Sequence, residues 1–415
     1  MNNIFSKIEV AFTSLMHQKS RTILTVIAIA IGIASLIVIM SAGDGLKSTV
    51  LSELEAYGSD VISIETKIPG KRPVESASEM SLGVTTITTF KNSDVDAIAA
   101  LPNVENYYSY IIGQEIIKYE GNAKGVMVFG YGANSVLFEK LKIKEGRFYS
   151  LEEEESIAPV IVLGGSIKEF LFGDNDAIGQ KVKLRNVSFR VVGVMEKRGA
   201  ISGFDMDSMV YIPTLTMQKR LLDTDYVMGA SVSVKDIDKI DQTKEEIIEI
   251  LRERHNIDDP DEDDFEVMTM VEVQNMVEVV FSTITLLLSI IVAVSLIVGG
   301  VGITNIMYVS VIERTFEIGL RRAIGAKRRD ILWQFLLEAI ILTFLGGVLG
   351  VIIGIAVSYL VYLLAISFGI NWSFNVSIFS VIMALVFSVS IGIIAGVYPA
   401  KEAAKVDPIE ALRKE

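Results

Sequence analysis

The chain has 415 residues, of which 51% are hydrophobic and 21% charged, and a mean hydropathy of +0.46. That apolar weight points to membrane spans rather than to an ordinary soluble enzyme, and a formal charge of −13 argues against a nucleic-acid binder. Cysteine is absent, which removes disulfides, thiolate nucleophiles and Cys-ligated zinc; the two histidines, His17 and His255, are too far apart in sequence for a local metal site.

Residues 1–21 carry Ile4, Phe5, Ile8, Ala11, Phe12 and Leu15 at helical spacing, one apolar stripe on a cytoplasmic amphipathic helix. Such a stripe suits the membrane interface or packing on protein. Residues 22–42 follow as a first span, whose apolar run exceeds the roughly 7–15 residues of a signal peptide and is expected to be a retained anchor.

Residues 43–279 read as a mixed α and β region. Val- and Ile-rich runs predict strands at Asp60–Glu65, Asn106–Tyr119, Gly125–Gly132, Val160–Gly164, Ala230–Lys235 and Phe265–Met270, with a hairpin from Lys181–Leu184 and Ser188–Met195. Helices are predicted at 93–100, capped by Ser93, at 166–172 and at 238–254. Residues 67–81 are polar and punctuated by Pro and Gly, as in a flexible insert. Two strand–helix–strand patterns bracket a β-rich block, so a discontinuous subdomain is expected to carry an inserted one, with limits near 55–122 and 223–270 around 123–222.

Further spans are predicted at 280–304, 336–366 and 376–398, each able to supply the roughly 20 apolar residues a bilayer requires. None has a charge in its middle, Glu338 standing at the start of the third. This argues against a proton or sodium pathway. Gly299 and Gly300 mark span two, and Gly346, Gly350 and Gly354 recur every fourth residue in span three. Such spacing allows close helix packing, within the chain or at a protomer interface.

Lysine and arginine concentrate in 1–21, in the loop 305–335 and in the tail 399–415, and are absent from 367–375. The positive-inside rule therefore puts both termini and the 305–335 loop in the cytoplasm of a multi-pass protein of a bacterial-type cell membrane, with 43–279 outside. The outer region then holds 25 basic and 42 acidic residues, against 13 and 9 elsewhere.

No phosphate-binding G-x-x-x-x-G-K-[ST] motif is present, and no catalytic residues, metal site or cofactor are expected. The acidic run Asp258–Asp264 does not fit a calcium loop, because Asp264 falls where Gly is needed and Met270 where the bidentate Glu belongs; it reads as a solvated turn. Glu152–Glu155 reads as a helix start or an exposed run.

The loop around 313–330 is the most specific cytoplasmic feature. Glu317 and Arg321 stand four apart, Gly319 and Gly325 punctuate it, and Ile318, Leu320 and Ile324 give it apolar surface. An amphipathic helix docking on a partner explains this pattern, whereas topology alone explains only the arginines. The tail repeats the style, with Asp407-Pro408-Ile409-Glu410 as a helix start.

These motifs resemble the MacB/FtsX-type ABC transporter permeases, the type VII or mechanotransmission class. The resemblance rests on Lys19–Gly45, Gly299–Ala339, Gly346–Gly350 and Val397–Glu415, and in the outer region on Glu145–Ser150, Val160–Gly164 and Ile178–Gly199, so that it covers nearly the whole chain. It implies a membrane α-helical fold of four transmembrane helices, with an α+β extracytoplasmic domain of porter-like and Sabre-like subdomains. Residues 280–415 would form the FtsX-like permease domain. It further implies a second permease protomer, in a homo- or heterodimer, and ATP hydrolysis at a nucleotide-binding partner. MacB has that domain fused ahead of its first span. Only about 20 residues precede the first span here, so a separate ABC ATPase subunit is expected. Contact with it is assigned to Glu313, Arg314, Glu317, Gly319, Arg321, Arg322, Gly325, Lys327 and Arg328. Three roles follow from the resemblance: efflux with a membrane-fusion adaptor outside, regulation of a cell-wall hydrolase as in FtsX, or lipoprotein extraction as in LolC and LolE. FtsX-type outer domains are generally smaller, which favours the first and third. Membrane lipids are the remaining expected partner.

Overall fold

A computed structural model describes residues 19–55, 58–71, 86–139, 141–197, 199–201, 204–367 and 372–413. The stripe within 1–18 and residues 72–81 of the polar insert lie outside the described residues. The chain forms two compact units, one from Val50–Glu278 and one from the described residues up to Thr49 and beyond Val279.

In chain order, α1 is Lys19–Glu55 and β1 Val61–Thr66, followed by α2 (Asn92–Ala99), β2 (Val104–Tyr119), β3 (Asn122–Tyr131), α3 (Ser135–Phe138), β4 (Ile143–Gly146), α4 (Leu151–Glu155), β5 (Val160–Leu163) and α5 (Gly165–Phe172). Then come β6 (Lys181–Leu184), β7 (Val187–Met195), β8 (Ala200–Ile201), β9 (Phe204–Asp205), β10 (Met209–Pro213), α6 (Thr214–Thr216), β11 (Gly229–Val234), α7 (Ile240–His255) and β12 (Phe265–Thr269).

One sheet runs β12-β1-β11-β2-β3-β10-β5-β7-β4. Strand β6 pairs with both β7 and β2, so β2-β3-β10-β5-β7-β6 close into a ring of six strands. Closure removes the edges that an open sheet would expose. Period-two alternation sorts the ring's side chains. Val128, Ile161, Leu163, Val210 and Ile212 join one core with Ile167 and Leu171 of α5. Their neighbours Phe129, Val160, Val162 and Tyr211 join another. Each such residue, fully buried, contributes about 1.5–3 kcal/mol. A third core lies under β1, β11 and β12, where Ile62, Ile64, Val232 and Phe265 meet Val95 and Ile98 of α2 and Ile247 and Leu251 of α7.

Strand β2 serves two cores, Val104 joining the third and Ile111 the first. Three details differ from the sequence reading. Helix α2 starts one residue early, with Lys91 as N-cap, because the Asp94 carboxylate accepts from the Lys91 amide at 2.7 Å. Strand β10, central in the ring, is an unexpected element whose five residues are all buried. Finally, Asp263 and Asp264 are buried and only 258–262 are exposed, so the acidic run is not a solvated turn throughout. The reason is local charge pairing: Arg252 grips Asp263 with contacts of 2.9 and 2.7 Å, and Asp264 accepts from Thr89 and meets His255.

The second unit contains α8 (Met270–Glu313), α9 (Thr315–Ala323), α10 (Arg328–Ser367), α11 (Ile378–Lys405) and α12 (Pro408–Arg413). Four helices, 22–52, α8, α10 and α11, are long and apolar enough to cross a membrane. Their shared core includes Ile29, Ile33, Ile37, Leu296, Ile303, Phe335, Ala339 and Ala395. Many other apolar side chains of α8 face outward, among them Leu286, Ile290, Val294 and Val298.

Candidate coupling surface

Helix α9 follows α8 after Arg314 and carries the densest set of singled-out residues. Four of them hold it to its own chain. Arg314 reaches Glu338 of α10 at 3.2 Å. Arg321 binds Gln334 at 2.7 Å and Glu317 at 2.6 Å. Arg322 donates to the carbonyls of Ala404 and Val406 at 3.2 and 2.9 Å, satisfying acceptors that the end of α11 leaves open. Gly319 lies against Ala411 of α12, where a methyl group would collide. Helix α12 starts as expected: the Asp407 carboxylate accepts from the Ile409 amide at 2.8 Å.

Ile318 is buried at 3% exposure and belongs to the helical core, so it is not available to a partner as the sequence reading assumed. The exposed apolar row is Phe316, Leu320 and Ile324, the last 80% exposed. Phe316 was missed, although its spacing of four to Leu320 signals a shared helix face. Glu313, Glu317, Gly325, Lys327 and Arg328 are exposed around this row. Gly325 has φ of +105°, a conformation that suits glycine and turns the chain from α9 toward α10.

The glycines of the spans separate into two groups. A Cβ placed on Gly346, Gly350 or Gly354 would lie 2.8, 2.7 or 2.8 Å from the Cβ of Ile29, Ile33 or Ile37. This stripe seats α10 directly on α1 of the same chain. Gly300 approaches Ile391, whereas Gly299 faces open space.

In the other unit, His255 stands between two carboxylates, with Nδ1 2.7 Å from Asp264 and Nε2 3.5 Å from Asp94. Hydrogen bonds to Asp264 and Asp94 raise its pKa to about 9 against the opposing effect of burial. Burial works to raise the Asp94 pKa, but bonds from His255, Arg254 and the Lys91 amide outweigh it and hold it at about 2. The exposed-run reading of Glu152–Glu155 does not hold for Glu154: burial pushes its pKa up to about 7, although its carboxylate accepts from the Ala133 amide at 2.6 Å. Among the described residues no cluster of His, Asp and Glu is arranged to hold a metal ion.

A family profile described as the MacB-like periplasmic core domain matches residues 22–250, and one described as the FtsX-like permease C-terminal matches 280–408. The chain belongs to the MacB/FtsX family of ABC transporter permeases. It is a membrane protein with a large extracytoplasmic domain. As a MacB/FtsX permease it is 34% identical over 413 residues to a macrolide export ATP-binding/permease protein MacB of Wolinella succinogenes, covering 99% of this chain and 61% of that one. It is 37% identical over 411 residues to the protein of that name from Chlorobaculum tepidum, covering 98% and 61%. A pyoverdine export ATP-binding/permease protein PvdT of Pseudomonas syringae is 31% identical over 417 residues, covering 99% and 60%. The chain thus spans about three-fifths of the length of these relatives. The solved periplasmic region of MacB from Actinobacillus actinomycetemcomitans matches 55% of this chain and 97% of its own, at 18% identity and a TM-score of 0.46.

Proposed function

We propose that this chain is the permease of an ABC exporter in which an ABC ATPase docks on α9 and drives movement of the extracytoplasmic domain. The observation that carries the docking is the exposed row Phe316, Leu320 and Ile324, on a helix held to its own chain by Arg314, Gly319, Arg321 and Arg322. An apolar row of this kind gains by being covered, and the fixed opposite face passes a push on α9 into α10, α11 and α12. Glu313, Glu317, Lys327 and Arg328 supply directional contacts at its rim. The 415 residues contain no phosphate-binding loop, so nucleotide is hydrolysed outside them. A second permease protomer covers the outward apolar side chains of α8. Both termini and 305–335 lie in the cytoplasm, in keeping with the distribution of lysine and arginine.

Of the two halves of the outer unit, the one around the core under β1, β11 and β12 is porter-like and the strand ring is Sabre-like. The relatives named for macrolide and pyoverdine export support outward movement of an amphiphilic small molecule. A membrane-fusion adaptor outside the membrane fits that role.

The test is copurification with the ABC ATPase partner, using the variant Phe316→Ser/Leu320→Ser/Ile324→Ser. Loss of the ATPase and of coupled turnover, with normal thermal unfolding of the permease, is the expected outcome. Unchanged copurification rejects the docking face. The natural absence of cysteine allows topology to be read from single cysteines: Ala323→Cys is expected to label only from the cytoplasm and Gly121→Cys only from outside.

A further inference from the structure

The ring of strands in the outer unit is closed by a short seam. Two registered pairs join β2 to β6, Ile117 with Leu184 and Lys118 with Lys183. The second places two lysines directly opposite each other, an arrangement that destabilises an antiparallel pair. Lys181 stands two residues along, on the same side of β6 as Lys183. All three lysines are exposed, and none is engaged in an ion pair among the described residues.

Neighbouring cations are matched: Arg185, directly after β6, meets Glu115 at 2.6 Å, and Arg190, opposite Lys181, meets Glu153 at 3.6 Å. The outer region holds 42 acidic residues against 25 basic ones, so an unmatched basic cluster there is not a matter of composition. Lysines often guard sheet edges, but Lys118 and Lys183 sit within a registered pair, and only Lys181 lies beyond it, on the part of β6 that β2 leaves open.

These lysines line a cavity of about 690 Å³ together with Asn122, Gln180 and Glu120. That volume suits a small ligand or a headgroup. The lining has ammonium groups and no guanidinium; lysine acts as a point charge toward phosphate, whereas planar carboxylates favour the arginine fork. Glu120 and Gln180 offer acceptors for hydroxyl groups.

We propose that this cavity binds a phosphate group carried on a hydroxyl-bearing headgroup, and that the phosphate bridges Lys118 and Lys183 across the seam. Binding removes the like-charge opposition at the point where the ring closes, so ligand and closure stabilise each other. Glycerol phosphate, free or as the headgroup of an anionic lipid, has the required chemistry.

The experiment uses the full chain in dodecyl maltoside micelles and phosphate-free buffer. One arm titrates glycerol 3-phosphate calorimetrically, and the other measures capture by phosphatidylglycerol vesicles against phosphatidylcholine vesicles. Lys118→Gln/Lys183→Gln is compared with Lys142→Gln/Lys144→Gln, an exposed pair elsewhere in the same unit. At least one arm is expected to show binding that weakens with salt, falls tenfold or more in the first variant and is kept in the second. Without ligand, the first variant should melt no lower than the unaltered chain, which separates lost binding from lost folding. Binding in the first arm alone assigns a free phosphorylated polyol, and in the second alone a lipid headgroup; either supports the site. No binding in both arms, equal weakening by both variants, or undiminished binding by Lys118→Gln/Lys183→Gln overturns it.

Discussion

Arg314 and Glu338, twenty-four positions apart in sequence, form an ion pair at 3.2 Å that ties the α8–α9 junction to the third turn of α10. The Glu338 side chain is 3% exposed and that of Arg314 16%, so both charges have lost most of their water. Such a pair contributes little beyond an apolar replacement, but removing one partner takes a charge-assisted contact away from the other in a buried setting. Its effect here is geometric, because α9 cannot shift against α10 without breaking it or carrying α10 along.

Arg314→Met alone, or Glu338→Leu alone, is therefore expected to destabilise the helical unit by about 1.5–3 kcal/mol, the range for a lost hydrogen bond to a charged group. The double replacement Arg314→Met/Glu338→Leu should regain most of that loss. Thermal unfolding in detergent checks the cycle. If the double variant falls by the sum of the singles, the pair is not coupled.

The cluster around His255 predicts a pH dependence for the outer unit. The folded pKa of His255, about 9, lies above its ordinary 6.5, so its stabilisation is complete below 6.5 and is lost as pH rises through 9. Asp94 is the opposite case: its folded value of about 2 lies below the ordinary 3.8, so its contribution is present above 3.8 and lost on acidification toward 2. The melting midpoint should fall on alkalinisation toward pH 9, and His255→Asn should lower it near pH 6 and flatten that limb. A profile with the same slope in both proteins would remove His255 from the account.

Glu154 adds a change at lower pH. Its folded value of about 7 exceeds the ordinary 4.5, so its protonated form is favoured by folding and stability is lost as pH rises through 7. In Glu154→Gln, which stays neutral, the decline in melting midpoint between pH 5 and 8 should shrink. An unchanged decline would assign the effect to other groups.

Local patterns in the sequence carried much of this architecture. Apolar length announced the four helices, and Val- and Ile-rich runs announced strands such as β1, β7 and β11. What escaped depends on contacts between distant residues. Strand β10 is a five-residue apolar run, too short for periodicity to tell from a buried helix segment, and its pairing with β3 and β5 defines it. Closure of the ring depends on Lys118 meeting Lys183, which no local rule announces. On α9 the amphipathic pattern was legible, but its division was not: Ile318 and Leu320 are equally apolar, and only packing sends one inward and leaves the other exposed.

The glycines of the spans give a contrast between positions that look alike in sequence. Gly350 packs on α1 so closely that an added Cβ would lie 2.7 Å from both the Ala30 carbonyl oxygen and the Ile33 Cβ. The first of these is backbone, so relief requires α1 and α10 to separate rather than a side chain to rotate. Overpacking of this kind costs about 1–3 kcal/mol for small additions. Gly299 has no such neighbour within 4 Å, so a methyl group there meets nothing in its own chain. Gly350→Ala is accordingly expected to lower the unfolding midpoint of the chain in detergent. Gly299→Ala should match or slightly exceed the unaltered chain, because alanine is the better helix former by about 0.8–1 kcal/mol. Gly346→Ala and Gly354→Ala should follow Gly350→Ala, since they meet Ile29 and Ile37 in the same way. The decisive comparison is made on the dispersed single chain, where a contact between protomers contributes nothing. If Gly350→Ala is neutral there and harmful only in the assembled transporter, the glycine stripe serves the protomer interface and the packing of α10 on α1 does not depend on it.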